Sequence, residues 1–126
     1  MARQLVSSGS PFESSIGFSR AVRMGQTIAV SGTAPIWPDG SCDPDPYRQA
    51  HRCLEIIATA LSQAGATFAD VVRTRTFITD PAVAETVGRA HGEVFSEIRP
   101  ASTMVVVAGL LDPRWKVEIE VDAVVL

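Results

Sequence analysis

The sequence lacks three features that would each have pointed to a class of protein. Its 126 residues carry 11 basic side chains against 14 acidic ones, a net charge of −3, and no basic block or aromatic-plus-basic stripe of the kind that binds nucleic acid. No apolar run approaches the roughly 18 residues that span a membrane, and the N-terminus has no apolar signal-peptide core. The sequence therefore gives no support for a nucleic-acid or a membrane partner.

Cysteine and histidine are also scarce. The two thiols, Cys42 and Cys53, have no recognisable spacing, which argues against a disulfide scaffold and favours a reducing cytoplasm. The two histidines, His51 and His91, have no Cys or His at the spacing of metal ligands. We therefore expect a cytoplasmic protein without a metal site.

What the sequence does contain is a series of strand patterns and two marked helices. Asp45 can cap the first helix, Pro46 fits its first position, and Gly65 follows its end. Asp80 and Pro81 mark the start of the second helix in the same way. The helices are expected at 46–64 and 81–98, and the strands at 4–7, 19–23, 27–31, 71–79, 102–111 and 116–126.

The order β-β-β-α-β-α-β-β predicts a single domain over residues 1–126. Long strands beside two amphipathic helices predict an α+β two-layer sandwich, in which one mixed six-stranded sheet carries both helices on one face. On the strand at 71–79 we expect Val72, Thr74, Thr76 and Ile78 to share one face, and Arg73, Arg75 and Phe77 to share the other.

The last two strands are the most informative. Residues 102–111 are apolar almost throughout, as a strand covered on both faces should be. Residues 116–126 alternate, so that Glu118, Glu120 and Asp122 share the face opposite the apolar side chains. Burying unpaired carboxylates is costly, so this row should face water, a second subunit or a binding site.

Five segments together resemble one known family: GFSRAVRMG at 17–25, SGT at 31–33, VVRTRTFITD at 71–80, PAST at 100–103 and VEIE at 117–120. The chain resembles the RidA family of reactive intermediate deaminases, also called the YjgF or L-PSP endoribonuclease family. The resemblance implies a chorismate-mutase-like fold and a homotrimer with ligand clefts between subunits. It also implies hydrolysis of enamines and imines, such as 2-aminoacrylate, without a metal or an organic cofactor.

The resemblance also assigns roles to particular residues. Glu118 matches the acidic residue that orients or activates water, with Glu120 as a second candidate, although Glu118 could also be only one member of a charged face. His91 matches a tyrosine at the cleft edge, but its place on the apolar stripe of the helix also suits a core or interface histidine. The predicted substrate-binding positions are Phe18, Gly32, Thr33, Arg75, His91, Ser102 and Thr103.

One position departs from the family pattern. Deaminating members have PARS where this chain has PAST, so Ser102 stands where an arginine holds the substrate carboxylate. A guanidinium binds a carboxylate through two charged hydrogen bonds, whereas a serine hydroxyl offers one neutral donor. The change should cost about 1.5–3 kcal/mol in carboxylate binding. Arg75 is a candidate for replacing that charge, but Arg73 and Arg75 could instead pair with the carboxylate row across the sheet.

These observations predict a RidA-like trimer that binds a small organic ligand at its subunit interfaces. It would hydrolyse an enamine or imine other than 2-aminoacrylate, with Glu118 handling the proton of the attacking water. The alternative is a non-catalytic ligand-binding or regulatory trimer of the same family, so enzyme activity itself is left open. Endoribonuclease activity is less favoured, because the charge balance is acidic.

Overall fold

Two helices lie against one face of a six-stranded sheet in the computed structural model, which describes residues 2–126. The strands follow the order β1-β2-β3-β6-β4-β5, and all neighbouring pairs are antiparallel except β4 and β5, which are parallel. The predicted α+β sandwich with a mixed six-stranded sheet is confirmed. The elements are β1 (Arg3–Val6), β2 (Ala21–Met24), β3 (Thr27–Thr33), α1 (Pro46–Gln63), β4 (Val71–Ile78), α2 (Ala84–Phe95), β5 (Ala101–Val106) and β6 (Val117–Val124).

Helix α1 begins and ends where the sequence predicts. The Asp45 carboxylate accepts a hydrogen bond from the backbone N–H of Tyr47 at 3.0 Å, and Pro46 occupies the first helical position. Gly65, with a φ of +83°, then provides the left-handed turn that ends the helix. Its apolar stripe is buried against the sheet and includes Ala50, Cys53, Leu54, Ile57 and Leu61.

Helix α2 is shorter than predicted at both ends. Asp80 caps a separate short turn at Pro81–Val83 before the α-helix begins at Ala84. The helix ends at Phe95, and the chain turns at Arg99, which has a φ of +58° and donates its N–H to the Phe95 carbonyl at 2.8 Å. Pro100 explains this end, because a residue that precedes proline is disfavoured in the helical conformation.

Strand β6 lies in the middle of the sheet, between β3 and β4, and its predicted alternation is confirmed. The inward residues Val117, Ile119, Val121 and Ala123 are all 0% exposed and form the sheet side of the core. The carboxylates between them are half-buried on the face that carries no helix. The open face of the sheet therefore carries the acidic row.

Strand β5 corrects one prediction. It spans only Ala101–Val106, lies at the edge of the sheet, and every one of its residues is exposed. The expectation that 102–111 forms a strand covered on both faces is wrong for the single chain. Apolar composition shows that a segment avoids water, but it does not show which surface covers it.

A bulge in β4 corrects a second prediction, which concerns the face on which Val72 lies. The pairing of β4 with β6 shifts between Val71 and Arg73, so two residues oppose one and the alternation slips. Val71 is consequently buried and Val72 is 47% exposed. The prediction that Val72 shares the inward face of Thr74, Thr76 and Ile78 is therefore wrong.

No helix described within residues 2–126 is both long and apolar enough to cross a membrane.

Replacing Ile119 by alanine should cost about 2–5 kcal/mol of stability, because this side chain is fully buried in the centre of the sheet. The urea midpoint of circular dichroism measures the loss. Val72→Ala is the control and should change stability by less than about 0.5 kcal/mol. Equal losses in the two variants would contradict the position of the bulge.

Candidate functional site

The carboxylate of Glu118 lies directly against the backbone of Gly32. A Cβ at position 32 would lie 2.5 Å from Glu118 Oε2, so a side chain there would displace the carboxylate. The pairing of β3 with β6 also shifts between Val30 and Thr33, which places Gly32 in a bulge. The bulge and the missing Cβ together make room for Glu118 beside β3.

Arg20 completes the surroundings of this carboxylate. Its Nη2 donates to the Gly32 carbonyl at 2.6 Å, and its guanidinium lies 6.0 Å from the centre of the Phe18 ring. Burial lowers the pKa of Arg20, while the nearby charges of Glu13 and Glu118 act in the opposite direction. We call Glu118, Gly32, Arg20 and Phe18 the glutamate half-site.

The environment of Glu118 favours its neutral form. Burial raises the pKa of this carboxyl above its ordinary value, the positive charge of Arg20 lowers it, and the negative charge of Glu120 raises it again. A carboxyl with a raised pKa can accept and return a proton nearer to neutral pH than an exposed one. Glu118 is thus suited to general acid–base chemistry.

A shallow groove of about 620 Å³ runs over the open face beside Phe18. Glu120 and Asp122 line it, together with Ser31 from β3. Arg75 Nη1 lies 3.4 Å from a Glu120 oxygen and 3.2 Å from an Asp122 oxygen. The cross-strand pairing that the sequence offered as the structural role of Arg75 is therefore present, and one cation faces two carboxylates.

A second cluster joins β4, β5 and α2. The hydroxyl of Thr74 lies 2.8 Å from the Ser102 hydroxyl and 2.8 Å from His91 Nε2. The His91 ring also packs at 4.7 Å, centre to centre, against Phe95, and burial lowers the pKa of this histidine. We call Ser102, Thr74 and His91 the serine half-site.

The two remaining predicted positions differ in exposure. Thr33 is fully buried, and its hydroxyl donates to the Ser31 carbonyl at 2.8 Å, so it offers no surface to a ligand in the single chain. Thr103 is exposed on β5 and aligned with Arg75. A ligand contact for either threonine stays a prediction.

The two half-sites do not meet within one chain. Ser102 is aligned with Thr74, and Thr74 with Val121, so Ser102 lies two strands across and three residues along from Glu118. That offset corresponds to about 14 Å between Cα atoms. Thr74 faces the helices whereas Glu118 faces the open side. The sheet itself therefore separates the two groups.

Comparison with known proteins identifies the family. The profile of the endoribonuclease L-PSP family matches residues 9–125. The chain belongs to this family. An uncharacterised protein of Streptomyces coelicolor is 39% identical over 119 residues, which cover 94% of this chain and 89% of that protein. The predicted membership of the RidA, YjgF or L-PSP family is thus confirmed.

Solved structures of the L-PSP family share the fold over nearly the whole chain. Rv2704 of Mycobacterium tuberculosis, a member of the YjgF/YER057c/UK114 family, is 47% identical with a TM-score of 0.91, covering 98% of this chain and 100% of that one. Escherichia coli TdcF, solved with bound serine, is 27% identical with a TM-score of 0.81, covering 95% of this chain and 92% of that one.

Two residues of this L-PSP family member were missed from its sequence. Arg20 lies inside one of the family-like segments, but nothing in a single sequence shows that its guanidinium reaches Gly32. Thr74 had a usable signal, since a hydroxyl on the buried face of a central strand needs a hydrogen-bond partner.

Among residues 2–126, no group of three or more His, Cys, Asp or Glu side chains is arranged to hold a metal.

Replacing Glu118 by glutamine should raise the melting temperature near pH 7.5 and change it little near pH 4. Burial raises the pKa of Glu118 in the folded chain, so the wild type loses stability as the pH rises from the unfolded pKa, about 4.3, through the folded one. Glutamine does not ionise and avoids that loss. Thermal unfolding at a series of pH values measures the difference.

Glu120→Gln is the matched control on the same strand. Glu120 is ion-paired with Arg75, so its neutral analogue should not raise the melting temperature at pH 7.5. A lower melting temperature for Glu118→Gln at pH 7.5, or the same rise in both variants, would show that the environment of Glu118 does not oppose its charge.

Proposed function

We propose that this protein binds a small organic molecule in clefts between the subunits of a homotrimer and hydrolyses an enamine or imine there. The observation that carries the proposal is the position of Glu118: half-buried, held against Gly32 beside Arg20, and with a raised pKa. Family membership supports a small-molecule cleft, and TdcF, a related structure, has serine bound. A cytoplasmic location is part of the proposal.

The chemistry needs one group that moves protons. Water attacks the imine carbon, and Glu118 takes the proton that the water loses as the new carbon–oxygen bond forms. Glu118 returns that proton to the nitrogen, which gives a carbinolamine. It then takes the proton of the carbinolamine hydroxyl as the carbonyl forms and passes it to the nitrogen as the carbon–nitrogen bond breaks, so that ammonia or an amine leaves a carbonyl product. A carboxyl with a raised pKa is suited to these transfers because its charged form is less strongly favoured at neutral pH than that of an exposed carboxyl.

A second chain is required because the two half-sites lie on different faces of the sheet. The exposed edge of the sheet supports such an assembly: β5 leaves Met104, Val105 and Val106 uncovered, and the following loop leaves Leu111 almost fully exposed. An apolar, unpaired edge strand is unfavourable in water and is usually covered in proteins. Contact between copies would cover it and bring Ser102 of one chain toward Glu118 of another.

The acidic open face disfavours the ribonuclease activity in the family's name. Glu13, Glu120 and Asp122 line the groove beside Phe18 and outnumber its one lining arginine, Arg3, whereas RNA binding depends on cations that neutralise phosphates. The non-catalytic alternative has one observation in its favour, namely Ser102 in place of the arginine of deaminating members. The activity of Glu118 variants separates that alternative from the enzyme.

The wild type should speed the hydrolysis of imines that lack a carboxylate, generated from simple amines by an amine oxidase. Semicarbazide competes for the same imine, so faster hydrolysis appears as slower semicarbazone formation. Glu118→Gln should lose roughly 100-fold or more of the effect, as expected for a missing general acid–base group. An undiminished rate in Glu118→Gln would contradict the role of Glu118, and no acceleration of any imine by the wild type would favour the non-catalytic alternative.

Gly32→Ala provides a second variant for the same assay. The added methyl group should push the Glu118 carboxylate out of its place and reduce the rate, while the fold survives because a flexible side chain can move. Gly88→Ala is its control, since a Cβ there meets nothing within 4 Å. The control should keep the wild-type rate.

Light scattering tests the assembly independently of activity. The purified protein should have a mass near three times the 13.4 kDa of one chain, because the half-sites and the uncovered edge strand both require neighbouring copies. A monomer at micromolar concentration would contradict the intersubunit cleft.

A further inference from the structure

The serine half-site is a continuous line of three hydrogen-bonded side chains. Thr74 lies in the middle, 2.8 Å from both Ser102 Oγ and His91 Nε2, and is 0% exposed. Ser102 is exposed at one end, and His91 is half-buried at the other. Ser102 is the most exposed of the three, and the two residues behind it determine what its hydroxyl can offer to a ligand.

The proton arrangement along this line has two forms. When His91 Nε2 accepts from Thr74, Thr74 accepts from Ser102, and the free lone pairs of Ser102 can accept a hydrogen bond. When His91 Nε2 donates to Thr74, Thr74 donates to Ser102, and the Ser102 proton is free for a ligand. A neutral imidazole can do either, according to its tautomer. Burial lowers the pKa of His91, which favours this neutral form.

No arginine, including Arg73 next to Thr74, makes a hydrogen bond to this line of side chains among the described residues. Arg75 is aligned with Thr103, not Ser102, and its guanidinium is paired with Glu120 and Asp122 on the open face. On α2, the Arg89 guanidinium lies over the Tyr47 ring at 4.9 Å from its centre. The line can thus donate or accept a hydrogen bond without carrying charge.

We propose that Ser102, Thr74 and His91 form an uncharged anchor that binds a neutral hydrogen-bonding group of the ligand, such as a carboxamide, carbonyl or hydroxyl, and discriminates against a carboxylate. The inference rests on the proposed function, because it requires Ser102 to line the ligand cleft. A carboxylate loses strong hydration on entering a cleft and needs charged donors in exchange. A neutral amide loses less and finds a partner at Ser102 in either proton arrangement.

Propanamide and propanoate are suitable probes, because they have the same shape and differ in charge. Titration into isotope-labelled wild type, followed through the backbone amides of Ser102 and Thr103, should give a dissociation constant at least about tenfold lower for propanamide. Ser102→Arg should reverse the order, because it supplies the charged fork. Equal or tighter binding of propanoate by the wild type, or no shift at Ser102 with either probe, would overturn the proposal.

Thr74→Val tests whether the buried line sets the preference. Valine keeps the shape of threonine but removes both hydrogen bonds, and with them the orientation of the Ser102 hydroxyl, so propanamide should bind more weakly and its advantage over propanoate should narrow. Thr76→Val is the matched control, since Thr76 lies two residues along the same strand, is 1% exposed, and has no hydrogen-bond partner for its hydroxyl among residues 2–126. The control should keep the wild-type preference, and an unchanged preference in Thr74→Val would overturn the role of the line.

The outcomes also separate this inference from the proposed function. If imines are hydrolysed with dependence on Glu118 but the wild type does not prefer propanamide, only the uncharged anchor is wrong. If propanamide is preferred at Ser102 but no imine is hydrolysed, the anchor stands and the protein is a binder.

Discussion

Strand β6 presents one set of side chains to the helix-covered core and the alternate set to the open face of the sheet. Each inward residue is fully buried against the helices, so none can be polar without a partner, and each residue between them projects to the opposite face. Because side chains alternate along a strand, a shift of one residue would exchange the two sets and bury three carboxylates. The core therefore fixes where Glu118 lies, and the bulge in β3 leaves room for it beside Gly32.

The parts of the fold that depend on local patterns were predictable from sequence. The caps of α1 and the alternation of β6 depend only on residues that are close together in the sequence, and both predictions are confirmed. The exposure of Val72 and the uncovered edge strand β5 were not predictable, since a bulge depends on the partner strand and coverage depends on what lies beyond the strand. Tertiary contacts, not propensity, decided both.

The residues of the candidate site were likewise predictable only in part from the sequence. Resemblance to the family singled out Glu118, Gly32 and Ser102, and the first two lie in contact. It gave no role to Arg20 or Thr74, whose importance appears only when their hydrogen bonds to Gly32 and Ser102 are seen. A single sequence shows which residue has replaced an arginine, but not which neighbours support the replacement.

The account as a whole depends on two chains sharing one cleft, because the sheet separates Glu118 from Ser102 within each chain. A crystal structure of the assembled protein tests this most directly. The account predicts that the Glu118 carboxylate of one subunit and the Ser102 hydroxyl of its neighbour line the same cleft in a trimer. An assembly in which these two groups open onto separate surfaces would contradict it.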